Sequence, residues 1–107
     1  MKHIKKFENL ENKLEIGDYV LCEEKLDHEY TTDTIMENFS STHIGKYIAD
    51  KDNREEHICL IEYKKIPDII KDYFEGNTRQ ILIDEIKHFS KNKKDLLPFL
   101  TANKYNL

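Results

Sequence analysis

The chain has 107 residues, of which 36% are charged, 38% hydrophobic and 10% aromatic, and its net charge is −4. This length fits one domain, residues 1–107, and the apolar content is too high for an intrinsically disordered chain. No apolar run approaches the roughly 20 residues that cross a bilayer, and the first residues, MKHIKKFENLENK, lack the apolar segment of a secretory signal. We therefore expect a cytoplasmic protein without membrane association, whose two cysteines stay reduced.

The first predicted element is a strand over residues 13–22, where apolar side chains alternate along the chain. Gly17 and Asp18 interrupt the alternation and indicate a turn or bulge. The acidic stretch 23–34 that follows has no regular apolar period, so we predict a long loop there. After this loop the sequence favours no more than one short helical turn, near Phe39.

Two further strands are predicted in the middle of the chain. Residues 43–49 and 57–63 are rich in β-branched and aromatic types, and the hydrophilic stretch 50–56 lies between them. Strands separated by a short polar turn commonly pair as a hairpin. The sequence therefore predicts an antiparallel hairpin over residues 43–63.

The second half of the chain predicts a helix over 67–75, because its apolar residues repeat at helical spacing between Pro67 and Gly76. Residues 78–83 predict a fourth strand, whereas 85–90 fit either a fifth strand or the start of the last helix. A short final helix is predicted over about 96–104. This start places Pro98 in the first turn, where no backbone donor is needed.

Four aliphatic residues lie at the middle of predicted strands on apolar faces, and we expect them to be mostly buried: Val20, Ile48, Ile61 and Ile83. We also expect Cys22 and Cys59 to act as small apolar core residues with free thiols.

The order of these elements resembles that of small SH3-like barrels of the Tudor and KOW kind. The matching segments are IGDYVLC, HIGKYIA, HICLIEY and DEIKHFS. The resemblance covers about residues 14–90 and implies a small antiparallel barrel. With the helices predicted above, it gives a mainly β, α+β domain that has a helix inserted near 67–75 and a basic, helical tail over 91–107. The chain departs from the KOW pattern because its first long loop lacks closely spaced glycines, and the inserted helix is longer than the usual 3₁₀ turn.

Charge is segregated along the sequence and indicates two candidate binding surfaces. Residues 23–34 carry five carboxylates against one lysine, a net charge of −4, whereas 91–107 carry four lysines against one aspartate, a net charge of +3. The acidic segment would supply steering charge and an aromatic anchor through Glu23, Glu24, Leu26, Glu29 and Tyr30. The competing basic surface would use Lys91, Lys93 and Lys94.

Aromatic residues offer a second kind of candidate site. In Tudor-type barrels, to which the chain is similar, a few rings form a cage that holds a methylated cation through cation–π attraction. The resemblance makes Tyr19, Tyr30 and Tyr47 the candidates for such a cage. The alternative is that these tyrosines are half-buried strand residues.

No catalytic residue, metal or cofactor is predicted. Two cysteines and two histidines on neighbouring strands (Cys22, His43, His57 and Cys59) make a zinc site conceivable, but the pair spacings typical of structural zinc are missing. Glu85 and His88 are three residues apart, as in some acid–base or metal pairs, but a solvated surface explains them. No nucleophile motif or glycine-rich phosphate loop is present.

We therefore predict a non-catalytic module that binds another macromolecule, with a protein partner favoured because the chain is acidic. The alternative is a nucleic-acid-associated barrel that uses its aromatic residues and the basic tail. The chain as a whole resembles the small proteins common in phage and large-virus genomes, a likeness that by itself implies no function. An accessory protein that docks on a host or viral protein fits the predicted binding role.

Overall fold

A computed structural model describes residues 14–52 and 54–105, and the beginning of the first predicted strand lies outside this range. Within these described residues the chain forms five strands, two α-helices and three short 3₁₀ helices. The strands are β1 (Tyr19–Cys22), β2 (Gly45–Asp50), β3 (Ile58–Glu62), β4 (Thr78–Leu82) and β5 (Ile86–Ser90). The α-helices are α1 (Thr31–Thr42) and α2 (Leu97–Tyr105), and the 3₁₀ helices are Asp68–Tyr73, Ile83–Glu85 and Lys93–Leu96.

The strands form a single antiparallel sheet in the order β4-β3-β2-β1-β5. The predicted α+β class is confirmed, but the predicted closure into a barrel is wrong, because β4 and β5 are the two edges of an open sheet. Helix α1 and the first 3₁₀ helix cover one face, placing Met36, Phe39 and Ile70 in the core. The apolar face of the sheet is therefore buried by helices rather than by the sheet itself.

The predicted hairpin of β2 and β3 is confirmed, with one irregularity. Its register shifts between Tyr47 and Ala49, where a bulge interrupts the ladder. Ile48 lies at this bulge and is only half-buried, so its predicted burial is wrong. Val20, Ile61 and Ile83 are buried as predicted.

Helix α1 covers 31–42, where the sequence predicted the end of a loop (23–34) and then no more than one helical turn near Phe39. The helix is therefore longer than predicted. Its buried face consists of Asp33, Met36, Phe39 and Ser40. Two of these four side chains are polar, so the apolar repeat that identifies an amphipathic helix is absent from the sequence. The start of the helix is marked by Asp33, whose carboxylate accepts the backbone N–H of Tyr30.

The element predicted over 67–75 is a 3₁₀ helix, Asp68–Tyr73, rather than an α-helix. A 3₁₀ helix repeats every three residues, so Ile70 and Tyr73 share its inner side while Ile69 turns to solvent. Residues 86–90 form the strand β5, which decides between the two alternatives for 85–90. Helix α2 begins at Leu97 with Pro98 in its first turn, as predicted.

The core contains both thiols. Cys22 and Cys59 are free and fully buried, as predicted. Burial raises the pKa of the Cys22 thiol far above its ordinary value, and burial together with the charge of Asp50 raises the pKa of Cys59 to about 11. Both side chains are therefore protonated at neutral pH.

We expect both thiols of the chelator-treated, folded protein to react with a chromogenic thiol probe at pH 7. Their reaction rates should be more than about 100-fold lower than that of a free cysteine. Only the thiolate is nucleophilic, and burial suppresses it while also blocking access. The measurement is the labelling rate in native buffer and in denaturant, where two equivalents should react rapidly. Rapid native labelling of either cysteine would contradict its burial.

Candidate functional site

The predicted acidic binding loop divides into buried and exposed carboxylates. Glu24 and Asp33 are buried, whereas Glu23, Asp27 and Glu29 are exposed. Glu24 was predicted to be a docking residue, but the structure buries its carboxylate in an internal network, so we do not include it in the candidate site.

The buried carboxylate of Glu24 joins three parts of the fold. Its Oε1 accepts hydrogen bonds from Arg79 on β4, at 3.0 Å from Nε and 2.7 Å from Nη2. Its Oε2 accepts the hydroxyl of Ser40 on α1 at 2.6 Å. Arg79 also donates from Nη1 to the carbonyl oxygen of Tyr73. Glu24 therefore ties the segment after β1 to α1, to β4 and to the first 3₁₀ helix.

The segment between Glu24 and α1 is held by Glu37 of that helix. One carboxylate oxygen of Glu37 accepts the backbone N–H of Leu26 at 2.6 Å, and the other lies 2.7 Å from Nε2 of His28. His28 itself has a left-handed backbone, with φ of 62°. Because both carboxylate oxygens of Glu37 are used, the segment has a defined conformation that carries the exposed Asp27 and Glu29.

A cleft of about 570 Å³ lies between this segment, the start of α1 and the first 3₁₀ helix. Its lining residues are Leu26, Asp27, Glu29, Tyr30, Thr32, Asp33, Ile69, Asp72 and Tyr73. Four of these nine are carboxylates and none is basic. Glu23 lies outside this cleft and lines a different cavity, next to Glu37 and Asn103.

One wall of the cleft is fixed by a hydrogen-bonded group. The hydroxyl of Tyr73 donates to Oδ1 of Asp33, and it lies 2.7 Å from the hydroxyl of Thr32. The hydrogen bond from Tyr73 lowers the pKa of Asp33, so this carboxylate is ionised at neutral pH. The cleft therefore keeps this negative charge in a defined position.

Two large side chains stand exposed at the cleft. Tyr30 is 68% exposed and Ile69 is 59% exposed, although each is large and mostly apolar. Tyr30 and Leu26 were identified from the sequence. Ile69 and Asp72 were missed, because the α-helical interpretation of 67–75 placed Ile69 on the buried face.

The three candidate tyrosines do not form an aromatic cage. Tyr47 is buried in the core, and its hydroxyl donates to Asp50. Tyr19 is the cross-strand partner of Lys46, so it lies on the opposite face of the sheet from Tyr47. The ammonium group of Lys46 lies 6.0 Å from the ring centroid of Tyr19. The predicted cage of Tyr19, Tyr30 and Tyr47 is therefore wrong.

The basic tail has fewer free charges than its sequence indicated. The Nζ atom of Lys91 lies 2.8 Å from Oδ1 of the buried Asp18 and 2.5 Å from Oε1 of Glu15. These two carboxylates raise the pKa of Lys91, so its charge is retained but compensated. Lys93 and Lys94 are exposed at the 3₁₀ helix before α2.

The four residues considered for zinc do not come together as one group. His43 stacks on Phe39 with ring centroids 4.1 Å apart, and Cys22 is buried in the core. His57 and Cys59 do lie together, and the third member of their cluster is Asp50.

The chemistry of this cluster does not favour nucleophilic catalysis, because an activated cysteine has a lowered pKa and that of Cys59 is raised. Glu85 and His88, which the sequence also offered as an acid–base or metal pair, each contact other residues of the fold. Glu85 accepts the backbone N–H of Leu82, and His88 stacks on Phe99 with centroids 3.7 Å apart.

Comparison of the chain with known protein families, curated proteins and solved structures gives no match. Within the described residues, no helix is long and apolar enough to span a membrane.

Proposed function

We propose that the protein is a non-catalytic binding module whose acidic cleft receives a basic segment of a protein partner. The observation that carries this proposal is the pairing of exposed Tyr30 and Ile69 with a cleft whose charged lining residues are all carboxylates. An apolar or aromatic anchor surrounded by charge of one sign is typical of a docking surface.

The carboxylates and the apolar side chains of the cleft have different roles in this proposal. Asp27, Glu29 and Asp72 are exposed, so they attract a cationic segment over several ångströms and raise its association rate. Tyr30 and Ile69 contribute the apolar contact that is buried when the complex forms, and they slow its dissociation. The preferred segment therefore combines lysine or arginine with an apolar side chain.

Charge also supports a protein partner over a nucleic acid. The net charge is −4, and Lys91, the first lysine of the basic tail, is held by two carboxylates. Binding to phosphates draws its free energy from uncompensated lysine and arginine. Cytoplasmic location and a viral or phage accessory role stay predictions.

The test uses the full chain and arrays of short peptides in which lysine or arginine flank a leucine or phenylalanine. Selected peptides should perturb the NMR amide signals of Tyr30, Ile69 and Asp72. The triple variant Asp27→Asn, Glu29→Gln, Asp72→Asn should bind them at least about tenfold more slowly at low salt, and the difference should shrink as salt rises.

A matched control removes the same number of charges elsewhere, through Glu62→Gln, Glu75→Gln and Asp84→Asn, which are exposed and outside the cleft. This control should keep most of the association rate. Equal losses in the two triple variants would reject the cleft as the site. Binding of single-stranded DNA or RNA that is lost on reversing Lys93 and Lys94 would favour the nucleic-acid alternative.

A further inference from the structure

A second group of side chains, separate from the acidic cleft, lies on one face of the β2–β3 hairpin. Asp50 and Cys59 are cross-strand partners, and His57 lies two residues before Cys59, so all three side chains share a face. One ligand atom from each (a carboxylate oxygen, an imidazole nitrogen and a sulfur) lies within 4.8 Å of the other two.

A fourth side chain that could ligate a metal ion, Asp52, lies beside this group. Oδ1 of Asp52 lies 3.7 Å from Nε2 of His57, and it accepts the backbone N–H of Ile58 at 3.1 Å, which holds the carboxylate in place. Asp50 is oriented in a similar way, because the buried hydroxyl of Tyr47 donates to its Oδ1. Hydrogen bonds that orient ligating carboxylates are a regular feature of metal sites in proteins.

We propose that Asp50, His57 and Cys59 bind a divalent ion of the zinc class, with Asp52 or a water molecule in the fourth position. Zinc takes nitrogen, sulfur and oxygen ligands together, whereas magnesium and calcium take oxygen ligands. Tetrahedral bonds of about 2.0–2.3 Å place ligand atoms about 3.5 Å apart, so small rotations of the exposed Asp50 and the half-buried His57 would complete the site.

Binding changes two contacts that the metal-free hairpin makes. Nε2 of His57, now 3.1 Å from Oδ1 of Asp50, gives up this contact and binds the metal through its lone pair, with the proton of the neutral ring carried on Nδ1. The thiol of Cys59 releases its proton to the buffer and binds as thiolate. The metal then joins β2 to β3 beyond the bulge, where the ladder ends at Asp50 and Cys59. This role is independent of the acidic cleft.

The experiment titrates the reduced, chelator-treated full chain with cobalt(II), a spectroscopic substitute for zinc, and then displaces it with zinc. We expect one equivalent to bind, with a thiolate-to-cobalt charge-transfer band in the near ultraviolet and visible bands of tetrahedral intensity. Cys59→Ser should abolish the charge-transfer band. His57→Gln and Tyr47→Phe should each weaken binding at least about tenfold, the first by removing a ligand and the second by releasing Asp50.

Cys22→Ala is the matched control, since Cys22 is the other buried thiol and lies outside the cluster. It should keep the band. Loss of the band in Cys22→Ala, its persistence in Cys59→Ser, or the absence of cobalt binding to the unaltered chain would overturn the proposal. If Cys59→Ser does not fold, His57→Gln decides, because unchanged cobalt affinity in that variant also overturns it. Binding of the basic peptides to the acidic cleft should be unaffected by His57→Gln.

Discussion

Replacing Arg79 by methionine is expected to lower the free energy of unfolding by about 3–5 kcal/mol. The side chain of Glu24 is 2% exposed and that of Arg79 is 19% exposed. Methionine preserves much of the apolar stem of arginine but removes the charge. Among the described residues, the carboxylate of Glu24 then keeps the hydroxyl of Ser40 as its one side-chain partner. An uncompensated buried charge is among the most costly defects in a folded protein.

Urea denaturation of the Arg79→Met variant measures this loss. The matched control is Lys71→Met, which breaks the exposed ion pair of Lys71 with Asp68 and should cost no more than about 1 kcal/mol. Combining Arg79→Met with Glu24→Leu should recover part of the loss, because both charges are then removed. If Arg79→Met were no more harmful than Lys71→Met, the buried ion pair would not be a structural link.

Replacing Ile61 by alanine is expected to cost about 2–5 kcal/mol, a large part of the stability of a small domain. Ile61 is 0% exposed at the centre of the sheet, where its side chain packs over Gly45. A Cβ atom added at Gly45 would collide with Cγ2 of Ile61, so the Ile61 side chain fills the space above this glycine. Deleting the side chain therefore leaves a cavity that the surrounding backbone cannot close.

The control for this substitution is Ile69→Ala, since Ile69 is exposed at the acidic cleft. It should change the free energy of unfolding by no more than about 0.5 kcal/mol. Both isoleucines belong to apolar patterns in the sequence, so the comparison separates burial from residue type. A loss below about 1 kcal/mol for Ile61→Ala would contradict the register of β3.

The binding site could be predicted in part. Acidic residues near an exposed tyrosine indicated the segment of Asp27, Glu29 and Tyr30, and the structure brings these together with Ile69 and Asp72. The second wall of the cleft could not be found, because it comes from a 3₁₀ helix about 40 residues further along the chain. Of the Asp50–His57–Cys59 cluster, His57 and Cys59 were considered from the sequence. Asp50 was missed because its place opposite Cys59 depends on the cross-strand register of β2 and β3.

The sequence by itself determined four of the five described strands, the β2–β3 hairpin, most of the core and the start of α2, because these depend on local periodicity, on turn residues and on the position of Pro98. It left 85–90 open between a strand and a helix. Tertiary structure decided the rest. The burial of Glu24 requires Arg79, 55 residues away, and α1 is a helix with two polar residues on its buried face that find partners in Glu24 and Tyr73. The sheet stays open for the same reason: helices cover the apolar face that a barrel would have enclosed. Such contacts leave no periodic pattern, since each is a match between groups that only the folded chain brings together.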